Sequence, residues 1–410
     1  MPAWQARAGT ARAAVRLGSR MPTSATSPLD WADQTLLADE RAGLSRRPRR
    51  RQGGSAPHSV VDGRRVVVFS SNDYLGLATH PAVREAASRA ALELGVGATG
   101  SRHLSGCHAA IDDLEEALAG FLGTATATVA PSGYAANVAI LEALGGPDAT
   151  ILSDAGNHAS LIDGCRASRS RVAVYRHREV ADLEARLAVA AGRPIVVTDS
   201  VFSMDGASAD LAALDRTARR HGAWLVVDEA HALGTTGPGG RGLCAELGIG
   251  GDHVVRVVTF SKALGAAGAA VCGSEPVRRL LLQRGRALIF STAPPHPTMA
   301  AARAALGVLI AEPEVVSRLQ ERARSLRLHL GPAALGGENA SSPIVAVMIG
   351  DPWRAMAVDA ALWERGYLVQ GVRPPTVEPG TSRLRLVASA AHSEAEIEGV
   401  AAAIRSLLEV

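Results

Sequence analysis

From Thr126 to Ser261 the chain repeats one pattern: a short apolar run rich in β-branched residues, a polar break, then a helical stretch. The runs are Thr126–Ala130, Thr150–Ser153, Arg171–Tyr175, Pro194–Ser203, Ala223–Asp228 and Val254–Val258. Helical patterns over Ala135–Leu144, Val180–Ala191 and Leu211–His221 separate several of them. Continuous apolar runs mark strands buried on both faces, which is the situation inside a parallel sheet. Strand and helix in alternation therefore predict an α/β fold, a mostly parallel sheet flanked by helices.

The flanks read differently. Leu29–Leu44 has the spacing of an amphipathic helix, Arg65–Ser70 that of a strand, and Pro81–Leu94 and Ile111–Phe121 those of helices. After Pro295 long helical patterns dominate (Thr298–Ile310, Glu314–Leu330, Met356–Arg365, Ser393–Leu408), with strands expected at Pro343–Ile349 and Leu384–Ala388. A length of 410 residues accommodates two or three domains. The expected division is an N-terminal extension and helix over 1–65, a large α/β domain over 66–297 and a smaller α+β domain over 298–410.

Composition closes off several classes of function. The net charge of +3 is too small to suggest a nucleic-acid partner over the whole surface. The basic run Arg46-Arg47-Pro48-Arg49-Arg50-Arg51 has no interleaved aromatics on which bases could stack, so it reads as a solvated loop with an arginine to spare for an anionic substrate. The four cysteines form no Cys-x-x-Cys pair, which argues against a zinc site or a disulfide framework, and scattered thiols fit a reducing cytoplasm. No apolar run is long enough to span a bilayer. Residues 1–29 carry Arg7, Arg12, Arg16 and Arg20 and no acid. That resembles a transit peptide, but without a clear apolar face the segment reads as an extension, or as sequence upstream of a start at Met21.

Ligands of open α/β sheets bind at the C-terminal ends of the strands. Those ends offer Ser132-Gly133-Tyr134, Asn157-His158, Ser203, Asp228 with His231, and Thr259 with Lys262. Each has an ordinary reading when taken singly: a helix start, a packed histidine, a turn serine, a capping acid, a surface lysine. Together they match what pyridoxal phosphate requires. A Ser-Gly step into a helix offers backbone N–H groups to a phosphate, a lysine can bond to the aldehyde, and a carboxylate can face the ring nitrogen.

Longer motifs make the pattern specific. Asp228-Glu229-Ala230-His231 precedes Thr259-Phe260-Ser261-Lys262-Ala263-Leu264-Gly265 by about thirty residues. Asn72-Asp73-Tyr74-Leu75-Gly76-Leu77, Gly100-Ser101-Arg102-His103-Leu104-Ser105-Gly106, Val201-Phe202-Ser203-Met204-Asp205-Gly206 and Ser291-Thr292-Ala293-Pro294-Pro295 accompany them. From about Asp39 to the C-terminus the chain resembles the α-oxoamine synthases. These are fold type I pyridoxal-phosphate enzymes that join an amino acid to an acyl thioester with loss of carbon dioxide. The segments Val372–Val377 and Gly380–Leu386 most resemble members that take L-alanine and a pimeloyl thioester in biotin synthesis.

The resemblance implies a role for each residue. Lys262 bonds the cofactor, Asp228 pairs with the pyridine nitrogen, His158 stacks on the ring, and His231 with Ser203 contacts the ring oxygen. Thr259 and the N–H groups of Gly133 and Tyr134 hold the phosphate, while Thr292 reaches the phosphate of a neighbouring subunit, implying a homodimer with shared sites. Lys262, His158, Asp228 and His231 form the catalytic set; Arg385 grips the amino-acid carboxylate, Arg46 lies near the acyl substrate, and His158 also meets substrate. No metal, nucleic-acid or membrane partner is implied, and the location implied is cytoplasmic. Ala232 and Cys107 depart from the usual glycine and aromatic or threonine. Members that take glycine share the catalytic residues, and a different class, a regulator or RNA-binding protein on an aminotransferase-like body, stays open at this level.

Overall fold

The computed structural model describes residues 27–54, 57–335 and 341–408. The expectations for the first 26 residues lie outside the described residues.

A seven-stranded sheet forms the centre, in the order Thr126–Ala130, Ala269–Gly273, Val254–Thr259, Trp224–Asp228, Arg193–Asp199, Ala149–Asp154, Arg171–Tyr175. Ala269–Gly273 runs antiparallel to both of its neighbours, and the other pairings are parallel. The mostly parallel sheet therefore holds. The antiparallel strand was not legible, because Ala-Ala-Val-Cys-Gly lacks the β-branched density that marks the other runs. The strand at Arg193 stops at Asp199, so Val201 to Ser203 lie in the connection beyond it and not in the strand.

Apolar cores cover the sheet on both faces. One is built from Ile140, Leu144, Val197 and Val226, another from Leu183, Val196, Leu214 and Val227. Neighbours along a strand go to opposite cores, as the two-residue period of a strand requires.

A second sheet, Ala334–Leu335, Ile344–Gly350, Ser382–Val387, Gln370–Val372, packs with the helices Glu314–Leu330, Pro352–Glu364 and Glu394–Leu408 around Leu326, Val347, Leu362, Leu386 and Val400. A third sheet pairs Arg64–Val68 in parallel with Tyr367–Leu368, joining the two ends of the chain. The expected boundary at 297/298 falls inside the helix His296–Ala311, whose Met299, Ala302 and Leu306 enter a core shared with Leu114 and Phe260. The N-terminal helix Pro28–Arg41 is present, with Ser27 capping it, and buries none of its residues in this chain.

Candidate active site

The parallel strands end along one edge of the sheet. Asp228 and Asp199 are Cα partners there, as are Asp154 and Tyr175 one strand further on. Lys262 lies in the hairpin between Val254–Thr259 and Ala269–Gly273, closed by the Thr259–Ala269 pair and by Phe260 N–H donating to Gly268 O at 2.9 Å. Gly265 in this hairpin has φ +60°, and a Cβ there would stand 2.2 Å from the backbone nitrogen of Ala78. That glycine is needed for close packing on Leu77–Ala78, which presses the hairpin onto the body of the protein.

A cavity of about 1760 Å³ opens over this edge. His158, Ser203, His231, Lys262, Arg385 and Arg46 all line it. It brings together residues from four strand ends, the C-terminal unit and the basic run. Burial lowers the pKa of the Lys262 ammonium; Arg385 adds to this, and Asp228 and Asp199 oppose it. Arg385 stands on Ser382–Val387, donating from Nε to Ser203 O at 2.6 Å and from Nη2 to Asn72 Oδ1 at 3.2 Å.

Asp228 is held at both oxygens. Oδ1 accepts from Ala230 N–H at 2.8 Å and Oδ2 from the Asn137 amide at 2.7 Å. His231 is buried, and burial holds its pKa well below the usual imidazole range, with Lys262, Arg385 and His158 adding to the effect. Its Nδ1 lies 2.5 Å from the Tyr74 hydroxyl. His158 comes after the strand that ends at Asp154, and its backbone N–H donates to Asp199 Oδ2 at 2.7 Å. Burial, then the Asp228 charge, push the Asp199 carboxyl well above its ordinary range.

The phosphate end is a close approach between two elements. Gly133 begins the helix Gly133–Leu144 behind the capping Ser132, whose hydroxyl accepts from Ala135 N–H at 3.1 Å. The preceding N–H groups of a helix have no partner inside it. Thr259 Oγ1 is buried nearby and has no hydrogen-bond partner. An orphaned hydroxyl beside free helical N–H groups is a donor set suited to an anion. This donor set, with a lysine of lowered pKa in the adjoining cavity, fits pyridoxal phosphate. Thr292 is exposed and does not line the cavity of its own chain.

Several neighbours escaped the sequence reading. Tyr74, Asn72, Asn137 and Asp199 are held against the expected residues, and Arg373 lines the cavity while donating from Nη2 to Ser45 O at 2.5 Å. Tyr74 and Asn72 belong to a segment that points to the family but reads, by its residues alone, as a plain turn. The basic run is the exposed loop that was expected, and it lies at the cavity. Residues 45–50 line the cavity mouth, and Arg49 pairs with Asp359 at 2.9 Å and lies over the Trp363 ring at 4.5 Å.

Comparison with known proteins agrees with this geometry. Residues 64–404 match the family described as aminotransferase class I and II. A protein of Anaeromyxobacter sp. (strain K) named 8-amino-7-oxononanoate synthase is 44% identical over 387 residues, spanning 94% of this chain and 97% of its own length. The serine palmitoyltransferase of S. paucimobilis, solved with a bound PLP–myriocin adduct, superposes with a TM-score of 0.87 at 31% identity, covering 94% of this chain and all of its own. The 8-amino-7-oxononanoate synthase of Francisella tularensis gives a TM-score of 0.71 at 25% identity, over 84% of this chain and 98% of its own. The chain thus belongs to the class I and II aminotransferase family and, within it, to the α-oxoamine synthases, fold type I enzymes whose cofactor is pyridoxal 5′-phosphate.

Proposed function

We propose that this enzyme condenses L-alanine with a pimeloyl thioester to give 8-amino-7-oxononanoate, carbon dioxide and the free thiol of coenzyme A or of a carrier protein. The observation that carries the reading is 44% identity, over nearly the whole chain, to a protein named for that product. The cavity is consistent with it. Small-molecule sites usually span roughly 300–1,000 Å³, and about 1760 Å³ leaves room for a long acyl chain beside the cofactor. Arg46, Arg47, Arg49 and Arg50 at its mouth suit an anionic acyl donor.

Bound pyridoxal phosphate supplies an electron sink for charge developing at the alanine Cα. Arg385, fixed by Ser203 and Asn72, presents its fork to the alanine carboxylate. Lys262, with its pKa lowered, takes the Cα proton and later returns one. Asp228, immobilised by Asn137 and Ala230, would present its carboxylate to the ring nitrogen. His158 would stack on the cofactor ring and meet substrate, His231 with Ser203 would hold the ring oxygen, and Gly133, Tyr134 and Thr259 would hold the phosphate. Arg46 contributes charge at the acyl end.

The exposed position of Thr292, outside its own cavity, supports its reaching the phosphate of a second copy, in a homodimer with shared sites. Four cysteines without disulfides support a cytoplasmic enzyme, and no described helix is long and apolar enough to cross a membrane. The test is release of coenzyme A on mixing enzyme, pimeloyl-CoA and each of L-alanine, glycine and L-serine. Preference for alanine supports the reading. Turnover with glycine or serine alone assigns the enzyme to another branch of the same family, and a purified protein that binds no cofactor would overturn it.

A further inference from the structure

Behind the cavity floor, Asn137 and Ser160 link Asp228 to His158. Both are 1% exposed. Asn137 Nδ2 lies 2.7 Å from Asp228 Oδ2 and 2.9 Å from Ser160 Oγ, and Ser160 Oγ lies 2.8 Å from His158 Nδ1. The helix Gly133–Leu144 carries Asn137 on its buried side, one turn after Gly133, and the helix Ala159–Ala167 begins with His158 as its cap and Ser160 in its first turn.

The directions of these bonds come from counting hydrogens. A carboxylate only accepts, so the amide of Asn137 must turn its NH₂ to Asp228. Its Oδ1, on the other side, is buried without a partner. The NH₂ has two hydrogens, and the second falls to Ser160 Oγ. Ser160 Oγ has a second lone pair, so accepting from Asn137 does not by itself fix its hydrogen. The backbone N–H of Ser160 already donates to His158 Nδ1 from 3.3 Å, which makes that nitrogen an acceptor and sends the hydroxyl hydrogen to it. A nitrogen that receives two donors holds no proton of its own.

We propose that Asn137 and Ser160 are positioning residues which hold His158 as a neutral imidazole with its proton on Nε2. Asp228 sets the direction of the whole line, so the carboxylate expected at the ring nitrogen and the ring expected over the cofactor face are oriented by one network. Burial lowers the His158 pKa; Lys262 adds to this, while Asp228 opposes it. Asp199, which accepts the His158 backbone N–H, and His231, whose pKa His158 helps to lower, also face this residue from packed elements.

The inference rests on the cofactor site and not on the choice of substrate, so its test uses no substrate and its failure is separable from failure of the proposed reaction. The holoenzyme is labelled with 15N-histidine, and the His158 signals are assigned by their loss in His158→Asn. At pH 7 the expected spectrum has a pyridine-type Nδ1 and a pyrrole-type Nε2. In Ser160→Ala one donor to Nδ1 is gone, the neutral ring loses support, and the protonation midpoint rises by about one pH unit, the equivalent of one hydrogen bond. Ser160→Thr restores the hydroxyl and returns the midpoint toward wild type, a rescue that a purely structural role would not give. A protonated Nδ1 in the wild type overturns the proposal by itself, whatever the variants do. An unchanged tautomer and midpoint in a Ser160→Ala enzyme that still loads cofactor overturns it as well.

Discussion

A Cβ added to Gly133 would stand 2.5 Å from Cγ2 of Thr259. The start of one helix and the end of one strand are thus pressed together at the point where the phosphate is expected, and no side chain fits between them. The Thr259 hydroxyl beside this contact is buried and unbonded. A polar group in that state lowers the stability of the cofactor-free protein, and only a ligand offsets the loss.

Thr259→Val keeps the shape and removes the hydroxyl. The cofactor-free variant is expected to melt at the wild-type temperature or above. Its dissociation constant for pyridoxal phosphate should rise about 10–100-fold, the range for one hydrogen bond to a charged group. Melting curves with and without cofactor separate the two effects, and a variant that loses stability without losing affinity removes Thr259 from the phosphate site. Gly133→Ala should weaken cofactor binding too, because the added methyl forces Thr259 away.

Lys262 sits in a hairpin whose backbone is tied at Thr259–Ala269 and Phe260–Gly268. Lys262→Ala changes little of that frame, so it is expected to fold and still retain some cofactor through the phosphate contacts. Its coenzyme A release should fall by at least the 10²–10⁴-fold typical of a lost general base, to roughly background. The visible absorption of bound cofactor should change and, after amino acid is removed, should not return to the wild-type spectrum. A wild-type spectrum in this variant would refute the lysine assignment.

Arg385 should separate binding of the amino acid from binding of the acyl donor. Its guanidinium is oriented by Ser203 O and Asn72 Oδ1, and Lys cannot reproduce that fork. Arg385→Lys is expected to raise the KM for L-alanine about 10–100-fold, the equivalent of one charge-assisted hydrogen bond. The KM for the acyl thioester should move much less. Steady-state kinetics with each substrate varied in turn decide the matter, and equal rises in both would argue for collapse of the cavity instead.

The strand ends were readable because chemistry and topology coincide there. Buried strands advertise themselves as apolar runs, and the residues just past each run must sit at the sheet edge. Lys262, Asp228 and His158 could be placed in this way. Asn137 could not: its partner Asp228 lies 91 residues further along the chain, and Asn137 does not break the pattern of its helix. Thr259 stood out as a hydroxyl near a lysine, but only packing shows that it has no partner. The Ala269–Gly273 strand was hidden because it is buried by its neighbours and not by its own side-chain bulk. The basic run is exposed as expected, but the partners of Arg49 were hidden by distance along the chain. Arginines read as solvated, yet Asp359 and Trp363, over three hundred residues away, hold Arg49 at the cavity mouth.

His392 makes the joint between the two units sensitive to acid. Its ring stacks on Phe69 with centroids 4.1 Å apart, Nδ1 accepts from Ser389 N–H at 3.0 Å, and Nε2 donates to Val68 O at 3.1 Å. Burial, partly offset by the Val68 carbonyl and Glu396, lowers its pKa from 6.5 to about 4. The folded protein therefore resists a proton that the unfolded chain accepts. Its stability contribution is complete above the unfolded value near 6.5 and is lost progressively as the pH falls to about 4. The loss is about 3 kcal/mol for a shift of this size. Urea midpoints measured from pH 7 to pH 4 should fall steeply in the wild type. His392→Phe retains the stacking but loses both hydrogen bonds, so it should start lower at pH 7 and decline with a shallower slope. Parallel curves for the two proteins would mean that His392 does not carry the acid response, leaving the buried His231 beneath the cavity as the group to substitute next.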